Sequence, residues 1–140
     1  MDTCTLDRFL AAQEHSFARA LAEIGNGRKQ THWMWYIFPQ LRGLGQSDMA
    51  YVYGIAGETE ARAYLAHPVL SARLLQISEA LLLHKDKSAR QIFGDIDGLK
   101  LRSSMTLFAL QSPPNSVFHQ VLDAFFDGEK DAVTLNMLQL

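Results

Sequence analysis

Apolar residues recur at helical spacing along most of the chain. In TLDRFLAAQEHSFARALAEIGNG, Phe17, Leu21 and Ile24 stand at i, i+4 and i+7, with Phe9 further upstream. That is the stripe of a helix burying one face. Thr5 or Asp7 can cap its start, and Gly25 and Gly27 supply a left-handed stop. One long helix, or two short ones bent near residues 13–15, both satisfy the pattern.

The aromatic stretch HWMWYIFPQ is too short for its period to separate helix from strand. Pro39 biases Phe38 away from the α region, so a helix there ends by Phe38. LRGLGQSD reads as a glycine-punctuated surface loop, and residues 49–55 as a short strand or a helical turn. From Thr59, as a cap, GETEARAYLAHP predicts a short helix. Pro68 then opens a longer one with Leu70, Leu74, Ile77 and Leu81 on one face. HKDKS is a charged turn. Ser88 caps a one-turn helix ending at Phe93 and Gly94, and Asp95 or Asp97 caps LKLRSSMTLFALQ, which Pro113 and Pro114 close. Residues 117–126 form an amphipathic helix stopped by Asp127 and Gly128, and Asp131 caps a last helix through Met137.

Connections of this length suit packed helices. The pattern predicts an all-α (mainly α) fold, a compact multihelical single domain over residues 1–140. At 140 residues, with 48% hydrophobic and 20% charged positions, the chain can bury one core. Its net charge of −2 gives no global pull toward nucleic acid or anionic lipid, so a nucleic-acid partner is disfavoured. The single cysteine, Cys4, leaves no intramolecular disulfide and no cysteine zinc site, and it reads as inert. The histidines lack metal-binding spacing, so no metal and no cofactor is expected. The N-terminus has no basic region before an apolar stretch, and no apolar run approaches a membrane span. A cytoplasmic protein without a membrane partner is the expectation.

Two segments carry candidate chemistry. In GRKQTHWMWYIFPQ, Arg28, Lys29 and His32 stand beside Trp33 and Trp35, and Gln40 follows. Indoles stack on planar groups and cations neutralise phosphate or carboxylate; the plainer alternative is that Trp33, Ile37 and Phe38 are core. In DGLKLRSSMTLFAL, Leu101, Met105 and Phe108 make a core face, yet Ser103, Ser104 and Thr106 sit mid-helix beside Lys100 and Arg102. Hydroxyls are poor helix formers. Mixed with bases they suit an oxyanion, or else they permit close helix packing. On a helix, Lys100, Ser103 and Ser104 share one side while Arg102 and Thr106 share another, so all five cannot meet one ligand. Asp95 and Asp97 read as caps before metal ligands, and His67 as part of a tight helix–helix turn. His15, His84 and His119 read as surface or boundary residues.

The stretches GRKQTHWMWYIFPQLRGLG, YGIAGETEARAYLAHPVLSARL, IFGDIDGLKLRSSMTLFAL and VFHQVLDAFFDGEKDAVTLNML, in that order, closely resemble the bacterial "domain of unknown function 1810" family from Leu6 to about residue 138. The resemblance implies a small, mostly helical fold and no particular activity. It places family signature positions on Lys29, His32, Trp33, Trp35, Phe38, Pro39, Gln40, His67, Pro68, Lys100, Arg102, Ser103, Ser104, Met105, Thr106 and Phe108, and so points to a site that joins the two segments.

The leading expectation is a pocket binding a small anionic, nucleotide- or phosphate-like molecule. Lys29, Lys100 and Arg102 would neutralise it, Gln40, Ser103, Ser104 and Thr106 would orient it, and Trp33 or Trp35 would stack on it. If the pocket performs hydrolysis or transfer, His32 is the candidate catalytic residue, because an imidazole exchanges protons near neutral pH. The alternative is a protein-interaction or regulatory module that presents an exposed Trp35 and Tyr36 patch to a protein partner, without chemistry. A concave aromatic surface favours the ligand, a flat exposed one the partner.

Overall fold

A computed structural model of the protein describes residues 6–139. Nine helices follow one another among these residues: α1 (Asp7–Glu14), α2 (Phe17–Gly25), α3 (Met34–Ile37), α4 (Asp48–Val52), α5 (Glu58–Ala66), α6 (Pro68–Leu82), α7 (Ala89–Ala109), α8 (Val117–Phe126) and α9 (Ala132–Met137). The only β pairing among them is an isolated parallel bridge between Leu41 and Ile55. The fold is all-α. Thr5, one of the two suggested caps, and Cys4 lie outside the described residues.

Of the two arrangements open for the first stripe, the chain takes the pair of short helices. Ser16 leaves the helical region at φ −124° and starts α2 afresh. Asp7 belongs to the first turn of α1 rather than capping it, that position being held by Leu6. At the other end of α2 the chain turns through Gly27 at φ +77°. There His84 Nε2 lies 3.0 Å from the Gly25 carbonyl, and Lys87 Nζ donates to the Gly27 carbonyl at 3.2 Å. The HKDKS turn thus brings polar and cationic groups to the electronegative end of a helix distant in sequence.

Two expected caps are corrected. Thr59 lies inside α5, whose N-cap is Gly57; Glu60 reaches back to accept from the Ala56 amide at 2.9 Å, so no hydroxyl is required there. Asp95 and Asp97 are spent on ion pairs, Asp95 with Arg90 at 2.7 Å and Asp97 with Lys29 at 2.9 Å. The break they were expected to cap is real. Gly94 sits at φ +84° between the one-turn helix from Ser88 and the long arm of α7, a conformation that costs a residue with a Cβ. Ser88 and Gln91 close a capping box, Asp127 supplies a left-handed stop for α8, and Asp131 caps α9.

α7 is the centre of the molecule, packed on α5, α8 and α9, while α6 packs on α2, α5 and α8. Leu70, Leu74, Ile77 and Leu81 form the buried stripe of α6. From Leu101 to Ala109 every α7 side chain except Arg102 is buried. A helix enclosed on all sides needs small residues where neighbours come close, and that is the place of Ser103, Ser104 and Thr106. Gln13, 1% exposed, donates to the Tyr36 carbonyl at 2.7 Å and to the Tyr64 hydroxyl at 3.0 Å, tying α1 to α3 and α5. Arg8 makes a forked pair with Glu60 at 2.9 and 3.0 Å and also donates to the Gly54 carbonyl, locking α1 onto the α4–α5 connection. Among the described residues no helix is long and apolar enough to cross a membrane.

Candidate functional site

The aromatic segment divides by depth. Trp33 is 1% exposed and packs with Phe38 and Phe93 in a three-ring cluster, centroids 5.9–6.5 Å apart. A buried indole N–H requires an acceptor, and Glu23 supplies it at 2.9 Å. The same carboxylate accepts from the Gln30 amide at 2.7 Å, the Thr31 amide at 3.0 Å and the Thr31 hydroxyl at 2.6 Å. Burial by itself would raise the Glu23 pKa. The Thr31 hydroxyl, the two amides and the indole overcome that and hold it at about 2. Glu23 is therefore a fixed anion that folds the GRKQTHW loop onto α2.

Trp35 is only partly buried. The Lys100 ammonium lies 5.5 Å from its ring centroid, a cation–π distance, and its Nε1 is enclosed without a hydrogen-bond partner. Beside it, Met34, Gln40, Tyr53, Gly54 and Lys100 line a crevice of about 10 Å³, room for roughly one water. Lys29 sits 5.1 Å from the Trp33 ring and is pinned by Asp97 at 2.9 Å.

The hydroxyls of the KLRSS helix are mostly turned inward. Ser103 Oγ donates to the Leu99 carbonyl at 3.2 Å and Thr106 Oγ1 to the Arg102 carbonyl at 2.8 Å, the back-bonding expected of hydroxyls inside a helix. Ser104 Oγ is buried without a partner. Arg102 donates to the carbonyls of Glu129 at 2.9 Å and Lys130 at 3.2 Å, and Thr106 Oγ1 accepts from the Asp131 amide at 2.8 Å. Together these two secure the loop that leads into α9.

The ten sequence-predicted site residues thus fall into separate places. Gln40, Lys100 and Ser103 line one trough, and Trp35 stands at its inner end, where the crevice shares Gln40 and Lys100. Lys29 reaches toward them only through Asp97. Arg102 and Thr106 brace the α9 loop, Ser104 is sealed in the core, and Trp33 lies between core and Glu23. His32 lines a different hollow.

That hollow, about 280 Å³, is bounded by His15, Ser16, Arg19, Thr31, His32, Trp33 and Tyr36. Arg19, His15 and His32 are exposed, and their side chains have no hydrogen-bond or ion-pair partner among the described residues. Ser16 Oγ lies 3.1 Å from the Tyr36 hydroxyl, which also approaches the His32 carbonyl at 3.5 Å. Because Ser16 faces Tyr36, it does not cap α2 with its side chain. The hollow therefore opens beside a helix N-terminus whose first amides lack a side-chain acceptor, an electropositive feature. No carboxylate lines it, and Glu23 is occupied beneath Thr31. Such a surface can hold an oxyanion: a guanidinium for charge, and imidazoles and hydroxyls for directed hydrogen bonds.

Sequence reasoning passed over Arg19, assigned His15 to the surface and kept Tyr36 for a partner patch. The hollow follows from the break between α1 and α2 at residues 15–16, and a stripe that accommodates either one helix or two does not place it. Glu23 was equally missed; its position on the buried side of the α2 stripe was the available signal. Among the described residues no group of three His, Cys, Asp or Glu side chains could hold a metal ion.

A family model described as "Protein of unknown function (DUF1810)" matches residues 3–138. The crystal structure of a conserved hypothetical protein from Mycobacterium tuberculosis is similar over 99% of both chains, with 42% identity and a TM-score of 0.95. Among curated proteins, none matches.

Proposed function

The chain belongs to the DUF1810 family of proteins of unknown function, and from this premise we propose that it binds a small anionic molecule, a phosphate or a nucleotide-like compound, in the hollow beside His32. One observation carries the proposal: Arg19, His15 and His32, none of them engaged by a protein acceptor, line one concavity beside the α2 N-terminus without a competing carboxylate. Tyr36 offers a ring edge and a hydroxyl to a planar or sugar-bearing ligand. The ligand is a soluble metabolite, and the protein is read as cytoplasmic.

The partner-patch alternative has less support. Trp35 is partly covered and lies under Lys100, and the Tyr36 ring packs against Tyr53 with centroids 5.2 Å apart.

The test is a thermal-shift and calorimetric titration with inorganic phosphate, AMP and ADP, repeated on Arg19→Ala and His32→Ala. A phosphate compound at a hundred times its Kd stabilises the protein by about 2.7 kcal/mol, and either substitution weakens that response. Equal responses from wild type and both variants, or none from any phosphate compound, would overturn the proposal.

A further inference from the structure

The trough containing Lys100 differs chemically from the His32 hollow. It measures about 250 Å³ and lies between α7, the loop at residues 40–45 and the start of α9. Its walls are aliphatic. Ile96, Leu99 and Val133 are 71, 64 and 54% exposed, and the partly buried Leu44 joins them on the lining. Exposed large side chains distant in sequence are thus gathered on one concave face, an arrangement that marks a binding surface.

Its polar groups cluster around Lys100. Lys29 holds Asp97 at 2.9 Å, whereas Lys100 reaches the same carboxylate only at 3.6 Å. Two ammonium groups therefore share one carboxylate, and Lys100, the more exposed of the two, is the more loosely held. The Gln40 side-chain amide has no partner among the described residues, and Ser103, whose hydroxyl bonds back to the Leu99 carbonyl, lines the same trough. Asp131, the one acid on the lining, turns Oδ2 to the α9 cap, accepting from the Thr134 amide at 2.9 Å and from its hydroxyl at 2.6 Å, so that oxygen faces the cap while the carboxylate keeps its charge. A cation and an amide stand near one another, and aliphatic side chains line the rest.

We propose that this trough binds an alkyl carboxylate, with the carboxylate on Lys100 and Gln40 and the chain lying along Leu44, Ile96, Leu99 and Val133. The single ammonium matches a monoanionic head, and the aliphatic walls give a nucleotide base or a sugar no hydrogen bonds. At about 250 Å³ the trough offers far more space than the crevice of about 10 Å³, with its room for roughly one water, and so leaves room for an alkyl chain. This site is independent of the His32 hollow, and either can fail without the other.

Trp35 provides the reporter, because Lys100 lies against its ring while Trp33 is sealed away. Titrating the full chain with sodium octanoate gives a saturable change in tryptophan fluorescence, and Trp35→Phe removes the signal while calorimetry still detects binding. Lys100→Gln weakens binding at least about tenfold through loss of a charge-assisted contact. Leu99→Asp, at an exposed position that leaves the core intact, weakens it at least as much by placing a negative charge against the chain. Octanol binds more weakly than octanoate, and Arg19→Ala binds octanoate as wild type does. The proposal is overturned if calorimetry detects no octanoate binding, if octanol binds equally well, or if Lys100→Gln and Leu99→Asp both bind like wild type.

Discussion

Replacing Glu23 by glutamine removes one charge from a carboxylate that accepts four hydrogen bonds at 2.6–3.0 Å, from the amides of Gln30 and Thr31, the Thr31 hydroxyl and the Trp33 indole. The free-energy scale follows from its titration. A fall in pKa from 4.5 to about 2 corresponds to about 3 kcal/mol, each tenfold step being worth about 1.4 kcal/mol. Because the folded-state value is the lower one, this stability is fully present above about pH 4.5 and is lost as the pH falls toward 2. Glu23→Gln should therefore lose about 3 kcal/mol at neutral pH and correspondingly less near pH 2, since the glutamine amide still accepts but no longer as an anion. Urea unfolding of wild type and variant at several pH values between about 7 and 2 measures both the loss and its pH profile. The profiles should converge as the pH falls. A variant that loses less than about 0.5 kcal/mol at neutral pH, within the range of ordinary surface substitutions, or one whose stability runs parallel to wild type down to pH 2, would refute the role given to this carboxylate. Trp33→Phe offers an internal control: its cost should shrink in the Glu23→Gln background, because the two changes disrupt one interaction.

The remaining predictions address other parts of the fold. Gly27→Ala should cost about 1–2 kcal/mol, since the residue sits at φ +77° and a Cβ there would lie 2.6 Å from Lys87 Nζ; thermal unfolding measures it. Arg102→Ala should lose about 1–2 kcal/mol and accelerate amide exchange at Asp131 and Thr134 while leaving phosphate binding unchanged, because Arg102 holds the loop before α9 rather than a ligand. Leu74→Ala, on the buried stripe of α6, should cost about 2–5 kcal/mol by chemical denaturation. A His15→Ala, His32→Ala double variant should weaken phosphate binding at least about tenfold in calorimetric titrations at constant pH, since it removes two hydrogen-bonding groups from the hollow.

Local signals were sufficient wherever one short segment contains all the atoms that decide its conformation. The bounds of α8 and α9, the Ser88 and Asp131 caps, the exit of Phe38 ahead of Pro39 and the break at Gly94 all depend on neighbouring dihedrals and hydrogen bonds, and were legible in the chain. The burial of Leu70, Leu74, Ile77 and Leu81 was legible for the same reason, because helical period alone puts them on one face. The family, too, was recognisable from its ordered motifs.

The surroundings of each polar side chain depended on contacts across the fold. A hydroxyl between apolar neighbours has the same sequence signature whether it faces a ligand or bonds back to its own helix, and α7 could enclose Ser104 only once α5, α8 and α9 had packed around it. Arg102 met the α9 loop, 27 residues further on, and Lys29 met Asp97; no local pattern specifies either pairing. Whether the first stripe ran straight or broke at Ser16 was likewise settled by packing. That break brought Arg19, His15 and His32 around a single hollow, while Lys100 and Gln40 came to line another.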